Sequence, residues 1–190
     1  MKGRESGMPE EDLWQAFFEP GEAISRLFEG RIADGPVVEF GCGYGTFTVH
    51  AALRTRGILT ALDIEPEMIE LTRQKAARLG LANVRAKVRD FVTDGTGLDG
   101  ASQAHAMIYN LLHIEEPFRL LDEARRVVRP EGSLSVMHWR SDIDTPRGPP
   151  LEMRPSLEEC RSWMIAAGFR SVRTIELGRA GPWHFGLVGQ

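Results

Sequence analysis

Two hydrophobic periodicities share this chain. Short apolar runs ended by glycine, asparagine or aspartate alternate with longer stretches whose apolar positions recur every three or four residues. Glu10 to Glu19 reads as a helix with Leu13, Trp14, Phe17 and Phe18 on one face, stopped near Pro20, and Glu22 to Glu29 as a second, shorter one. The first strand is Val37 to Phe40, with a helix after it from about Thr46 to Arg54. Gly57 to Leu62 is the next strand, with Asp63 at its end, and Pro66 opens a helix through Leu79 that Gly80 terminates. Asn83 to Arg89 is a third strand ending near Asp90, and Ala104 to Asn110 a fourth. Glu115 to Val128 is an amphipathic helix closed by Arg129-Pro130-Glu131-Gly132, and Ser133 to Trp139 is the fifth strand. Asp142 to Pro155 holds four prolines and reads as an irregular connection. Ser156 then caps a helix to about Ala167, Gly168 ends it, and Ser171 to Leu177 and Trp183 to Val188 are two closing strands.

Strands alternating with helices for most of the length predict an α/β, doubly wound sheet of seven mostly parallel strands. Only Gly178 to Pro182 separates the last two, too little for a crossover helix, so they are expected to form an antiparallel hairpin. A chain of 190 residues, 42% hydrophobic, suits one domain over residues 1–190, with 1–30 as an N-terminal helical lid or cap. A net charge of −4 argues against nucleic acid, which requires clustered excess cations, and favours a small-molecule partner. No apolar run approaches the roughly 18 residues of a membrane span, and Met1 to Gly7 lacks a signal peptide's apolar core. Cys42 and Cys160 form neither a disulfide framework nor a metal-ligand spacing, so no metal and a cytoplasmic, reducing location are expected. Oligomeric state is not legible from these features.

The stretch Val37-Val38-Glu39-Phe40-Gly41-Cys42-Gly43-Tyr44-Gly45-Thr46 carries the chemistry. A strand opening into a glycine-dense turn and a helix lets backbone come within contact of a cofactor. A dinucleotide fingerprint places its third glycine one residue further on, where Thr46 stands, which disfavours NAD. The spacing resembles motif I of the class I S-adenosylmethionine (SAM) dependent methyltransferases of the type 11/25 kind, an acid followed by x-Gly-x-Gly-x-Gly, matched by Glu39, Gly41, Gly43 and Gly45. The terminal hairpin is also what that family has; it extends the resemblance over nearly the whole chain, which implies a Rossmann-like fold.

In open α/β sheets, ligands sit at the carboxyl ends of the strands. Here five ends carry polar groups: Glu39, Asp63, Asp90, Asn110 with His113, and His138 with Arg140. Asp63, 18 residues after Gly45 and followed by Ile64, suits the two hydroxyls of an adenosine ribose. The resemblance implies that Glu39 helps hold the SAM ammonium, often through water, that Asp90 and Phe91 meet the adenine, and that Asn110 and Leu111 border the methionine moiety. Cys42, Tyr44 and Thr46 surround the loop whose backbone N–H groups would meet the methionine carboxylate. An Asn/Asp-Pro-Pro-Tyr/Phe box is missing after the fourth strand, which disfavours exocyclic base amines and glutamine as acceptors.

These residues lead to the expectation of a SAM-dependent methyltransferase acting on a small molecule. The transfer is an in-line displacement and requires no covalent residue; His113 and His138 are the candidates if the acceptor must lose a proton. Trp14, His113, His138, Arg140 and Arg147 are candidate acceptor contacts, with Arg147 or Arg154 held by neighbouring prolines toward an anionic group. Trp14, Phe17 and Phe18 suit either a lid or core packing. The alternatives are an NAD-dependent oxidoreductase and a non-catalytic SAM-binding module.

Overall fold

In the computed structural model, which describes residues 9–190, seven strands form one sheet in the order β3-β2-β1-β4-β5-β7-β6. β1 (Val37–Phe40), β2 (Leu59–Asp63), β3 (Val84–Val88), β4 (Gln103–Tyr109) and the main part of β5 (Val128–Trp139) run parallel. β1, β2 and β4 are buried along their whole length, which is why their sequences are apolar at most positions of both faces rather than alternating. β7 (His184–Gly189) lies antiparallel between β5 and β6 (Arg173–Ile175), the hairpin expected from the short connection. That connection carries one turn of 3-10 helix, Gly178–Ala180.

Helices α1 (Glu11–Gln15), α2 (Pro20–Leu27), α3 (Thr48–Ala52), α4 (Pro66–Arg78), α5 (Pro117–Val127) and α6 (Leu157–Ala166) cover the two faces. Two apolar clusters result. One lies under α2 and α3 with Phe17, Phe18 and Trp139, and the other under α5 and α6 with Leu120, Leu121 and Met164. Pro66 and Pro117 open their helices where a missing N–H costs nothing, and Ser156 caps α6 in a full capping box with Glu159.

Several boundaries differ from the sequence expectation. The first N-terminal helix shortens to Glu11–Gln15, and the second begins at Pro20, which opens α2 instead of merely stopping the helix before it. The helix expected from Thr46 shortens to Thr48–Ala52, and β6 to three residues. The segment Arg129-Pro130-Glu131-Gly132 does not precede β5 but lies within it, as an irregularity between the Gln103 and His105 pairings of β4. A Cβ on Gly132 would stand 2.8 Å from the Ala104 carbonyl, so that kink is closely packed. Among the described residues no helix is long and apolar enough to cross a membrane. Residues 1–8 of the expected N-terminal cap lie outside the described residues.

Candidate functional site

β1 ends at Phe40, and the chain turns at Gly41 with φ +70°. A Cβ there would lie 2.9 Å from Leu111 Cδ1, so the turn needs glycine both for its conformation and for space. Gly45, at φ +71°, packs its bare Cα against Thr72 of α4 in the same way. Between them the loop is tied from two sides. Thr72 Oγ1 donates to the Gly43 carbonyl at 2.9 Å, and the Gly43 amide donates to Asp63 Oδ2 at 2.8 Å. Asp63 Oδ1 also accepts the Glu65 amide at 3.0 Å, leaving each oxygen further lone-pair capacity. Burial pushes the Asp63 carboxyl above its usual range, against the pull of these amides.

Beneath the loop Glu39 is 2% exposed and accepts from Thr48 Oγ1 at 2.5 Å. Burial pushes its carboxyl up to about 8; the Thr48 bond opposes this and the Asp63 charge adds to it. At neutral pH Glu39 is therefore mostly protonated in the free protein.

Over the carboxyl ends of the parallel strands, spanning the β1/β4 switch point, lies a cavity of about 780 Å3. Gly41, Cys42, Gly43, Asp63, Ile64, Asp90, Phe91, Asn110 and Leu111 all line it. Glu39, Tyr44, Gly45 and Thr46, also expected at a cofactor, do not. Glu39 and Thr46 are buried behind the loop, Gly45 faces Thr72, and the Tyr44 hydroxyl donates to the Pro9 carbonyl at 3.0 Å. Asp90 Oδ1 accepts the amides of Val92 and Thr93, which shapes the turn holding Phe91 edge-on against Phe40. Asn110 is the strained point of the lining. Its φ is +56°, and both polar atoms of its side chain are buried with no hydrogen-bond partner among the described residues. A buried amide left so costs about 1–3 kcal/mol, a cost that a polar ligand in the cavity would relieve.

The other end of the cavity is aromatic. Trp14, Phe47, Tyr109 and Trp139 line it, with His113, Met153 and the loop Pro146 to Pro150 that includes exposed Arg147. The loop is stiffened from inside by Arg154, which donates to the carbonyls of Pro149, Arg140 and Arg147 and to Thr145 Oγ1. Arg154 is thus committed to the loop rather than offered to an acceptor. Arg140 is bound bidentately by Asp142 and lines a separate depression of about 440 Å3 beside β6 and β7. His138 is fully buried and does not line the cavity; it stands behind His113, with Nδ1 of His113 3.2 Å from its Nε2. The N-terminal aromatics divide between their two readings. Phe17 and Phe18 are core residues packed on Trp139 and Phe47, whereas Trp14 meets Phe18 edge to face and reaches the cavity. The Lys75–Glu11 ion pair, 2.5 Å, ties α1 to α4.

Trp139, Tyr109, Phe47 and Met153 were not singled out from sequence. Tyr109 and Trp139 end strands β4 and β5, a position that could have marked them; Met153 ends a single 3-10 turn, Leu151–Met153, in the connection after β5, with no local signal.

The donor set fits the SAM implied by the sequence resemblance: a glycine cradle that admits no Cβ at Gly41, a partly satisfied carboxylate, a buried acid and an orphaned amide. A family model described as methyltransferase domain matches residues 37–132. The human EEF1A lysine methyltransferase 2 is 34% identical over 67 residues, and the mouse protein 33%. That match takes in 35% of this chain and 28% of each relative's length. Among solved structures, a SAM dependent methyltransferase from Aquifex aeolicus superposes with TM-score 0.78 at 23% identity, covering 95% of this chain and 93% of that one. A SAM-dependent methyltransferase from Thermotoga maritima, described as a possible histamine N-methyltransferase, gives 0.69 at 18% identity, with coverages of 95% and 94%. A geranyl diphosphate methyltransferase in complex with SAM also gives 0.69, at 16% identity, over 96% and 91%. At these identities the structures speak for the fold.

Proposed function

The chain belongs to the methyltransferase domain family, SAM-dependent enzymes of the class I fold, and from that premise we propose that it methylates a small, largely apolar molecule held at the aromatic end of the cavity. The observation that carries this reading is the continuity of one cavity from the glycine loop and Asp63 to Trp14, Trp139 and the proline loop. When bound, SAM supplies an electrophilic methyl group on a sulfonium.

Asp63 accepts the ribose hydroxyls while keeping the Gly43 amide, so the same carboxylate orders the loop and reads the ligand. Phe91 borders the adenine, and the Asn110 amide finds its missing partners on the methionine moiety. Glu39, protonated in the free protein, loses its proton when an ammonium comes near. Tyr44, Gly45 and Thr46 support the loop from behind. Trp14, Trp139 and Met153 exclude water and align the acceptor, so most of the rate comes from proximity and a dry site. Arg147 is the cation that an anionic acceptor would meet. The two free, buried thiols of Cys42 and Cys160 support a cytoplasmic location.

A protein lysine acceptor is the second reading, favoured by the identity to the EEF1A lysine methyltransferases. Calorimetry with SAM and S-adenosylhomocysteine, with NADH as control, tests the cofactor. Labelled methyl-SAM incubated with a fractionated metabolite extract and, separately, with the protein fraction tests the acceptor. Label confined to protein would replace the small-molecule reading, and SAM binding with label in neither fraction would leave a binding module.

A further inference from the structure

The proton positions in the His113–His138 pair follow from one neighbour that can only accept. The Trp139 carbonyl oxygen lies 3.0 Å from Nδ1 of His138, so that nitrogen carries a proton. His138 is fully buried, and burial, with the charges of His113 and Arg154, brings its imidazole down to about 3. A neutral ring protonated on Nδ1 has a bare Nε2, which only accepts. Nδ1 of His113, 3.2 Å away, is therefore the donor. In the neutral His113 ring this leaves Nε2 with its lone pair. His113 lines the cavity and His138 does not, so a bound molecule meets a ring whose available nitrogen can take a proton. Burial first, and Arg154 second, hold His113 below the usual histidine range and hence neutral at pH 7.

The acceptor chemistry follows from what surrounds this nitrogen. Half-buried Trp14 lines this end of the cavity with Phe47, Tyr109, Trp139 and Met153, an apolar lining that suits an aromatic ring. Arg147 on the lining and Arg154 beneath it, together with the donor's sulfonium, disfavour a nucleophile that arrives as an ammonium. A hydroxyl that moves toward an anion is favoured by the same charges.

Building on the methyltransferase reading above, we propose that Nε2 of His113 is the general base of the transfer, that His138 is the positioning residue that sets its tautomer, and that the acceptor is an aromatic hydroxyl. The acceptor O–H bond breaks with its proton passing to Nε2, the freed oxygen pair forms the bond to the methyl carbon, and the carbon–sulfur pair stays on the donor's sulfur. The resulting imidazolium still donates from Nδ1 to His138, and its Nε2 proton then leaves to solvent.

The first test requires no turnover. Long-range 15N–1H correlation spectra of the histidine rings, recorded on the free protein and again with S-adenosylhomocysteine added, are expected to show His113 and His138 both protonated on Nδ1. His138→Gln, whose amide oxygen can accept in place of Nε2, is expected to keep His113 in that form, and His138→Phe to release it to the Nε2–H tautomer. A wild-type His113 protonated on Nε2 would overturn the assignment of the base. The second test uses a matched pair of probes, 4-hydroxybenzoate and 4-(aminomethyl)benzoate, with labelled SAM. Methyl transfer to the phenol is expected, with kcat lowered about a hundred-fold or more by His113→Gln while SAM affinity is unchanged, strongly reduced by His138→Phe, and close to wild type in His138→Gln. Preference for the amine, or failure of 4-hydroxybenzoate to bind the S-adenosylhomocysteine complex, would overturn the acceptor class. Failure of the wild-type protein to bind SAM at all would instead strike the methyltransferase reading and leave the tautomer result standing.

Discussion

Asp63 joins two neighbouring parts of the site, since the carboxylate that would read the ligand also holds the Gly43 and Glu65 amides. Asp63→Ala should lower SAM affinity by about 1.5–3 kcal/mol, roughly ten- to a hundred-fold, in calorimetry on a protein whose circular dichroism is unchanged. Unaltered affinity would remove Asp63 from the site. Glu39 makes a pH prediction. Its carboxyl is raised to about 8 by burial, so the native chain holds this proton where the unfolded chain has lost it. The corresponding stability is full below the ordinary carboxylate range and declines as pH rises through about 8. Glu39→Gln keeps an oxygen for Thr48 but cannot ionise, so the difference in melting temperature between variant and wild type should grow in the variant's favour from pH 5 to pH 8. A constant difference across that range would mean that Glu39 is ionised in the native state. Arg147, exposed on the cavity lining, stands on the acceptor side in the proposed function. Arg147→Ala should leave SAM affinity within about two-fold and raise the acceptor KM.

At the scale of elements, the proline loop between β5 and α6 is held less by its prolines than by one guanidinium. Arg154 donates to Pro149, Arg140, Arg147 and Thr145, at 2.6, 3.0, 3.2 and 2.7 Å. Arg154→Gln can replace only part of that set. The Arg147–Gly148 bond should then be cut several-fold faster by trypsin, with SAM affinity nearly unchanged because the glycine loop is untouched. Equal cleavage rates would show that the prolines suffice. The capping box that starts α6 follows from its sequence alone: Ser156 Oγ accepts the Glu159 amide and the Glu159 carboxylate accepts the Ser156 amide. β5 is the opposite case, because Pro130 and Gly132 read as a helix stop, yet pairing with β4 on both sides of the kink draws them into the strand.

For the whole molecule, a ligand that spans the cavity couples both sides of the sheet's switch point, and binding should appear as global stabilisation. At a SAM concentration a hundred times its Kd the gain is about 2.7 kcal/mol, or about 5–10 °C in melting temperature, with no shift from NADH. The fold was legible from the sequence because its determinants are local: the buried run Val37–Phe40, the proline at the start of α4, the serine cap of α6 and the short link before β7 each act within a few residues. The glycine loop and Asp63 were legible for the same reason, since turn conformation and the spacing from strand to strand are written along the chain. Tertiary structure alone decided which side chains at the strand ends reach the cavity. Along β5, Met137 and Trp139 join the cluster under the N-terminal helices, while His138 turns the other way toward Phe185 and His113. Arg140 is captured by Asp142 and Arg154 by four acceptors in and beside its own loop, so neither is free to act as its place after the fifth strand suggested. The direction of a side chain depends on register against the next strand, and its availability on partners far away in sequence. Local sequence therefore determined the sheet, its order of elements and the glycine turn, and long-range packing determined that His113 lines the cavity with His138 behind it.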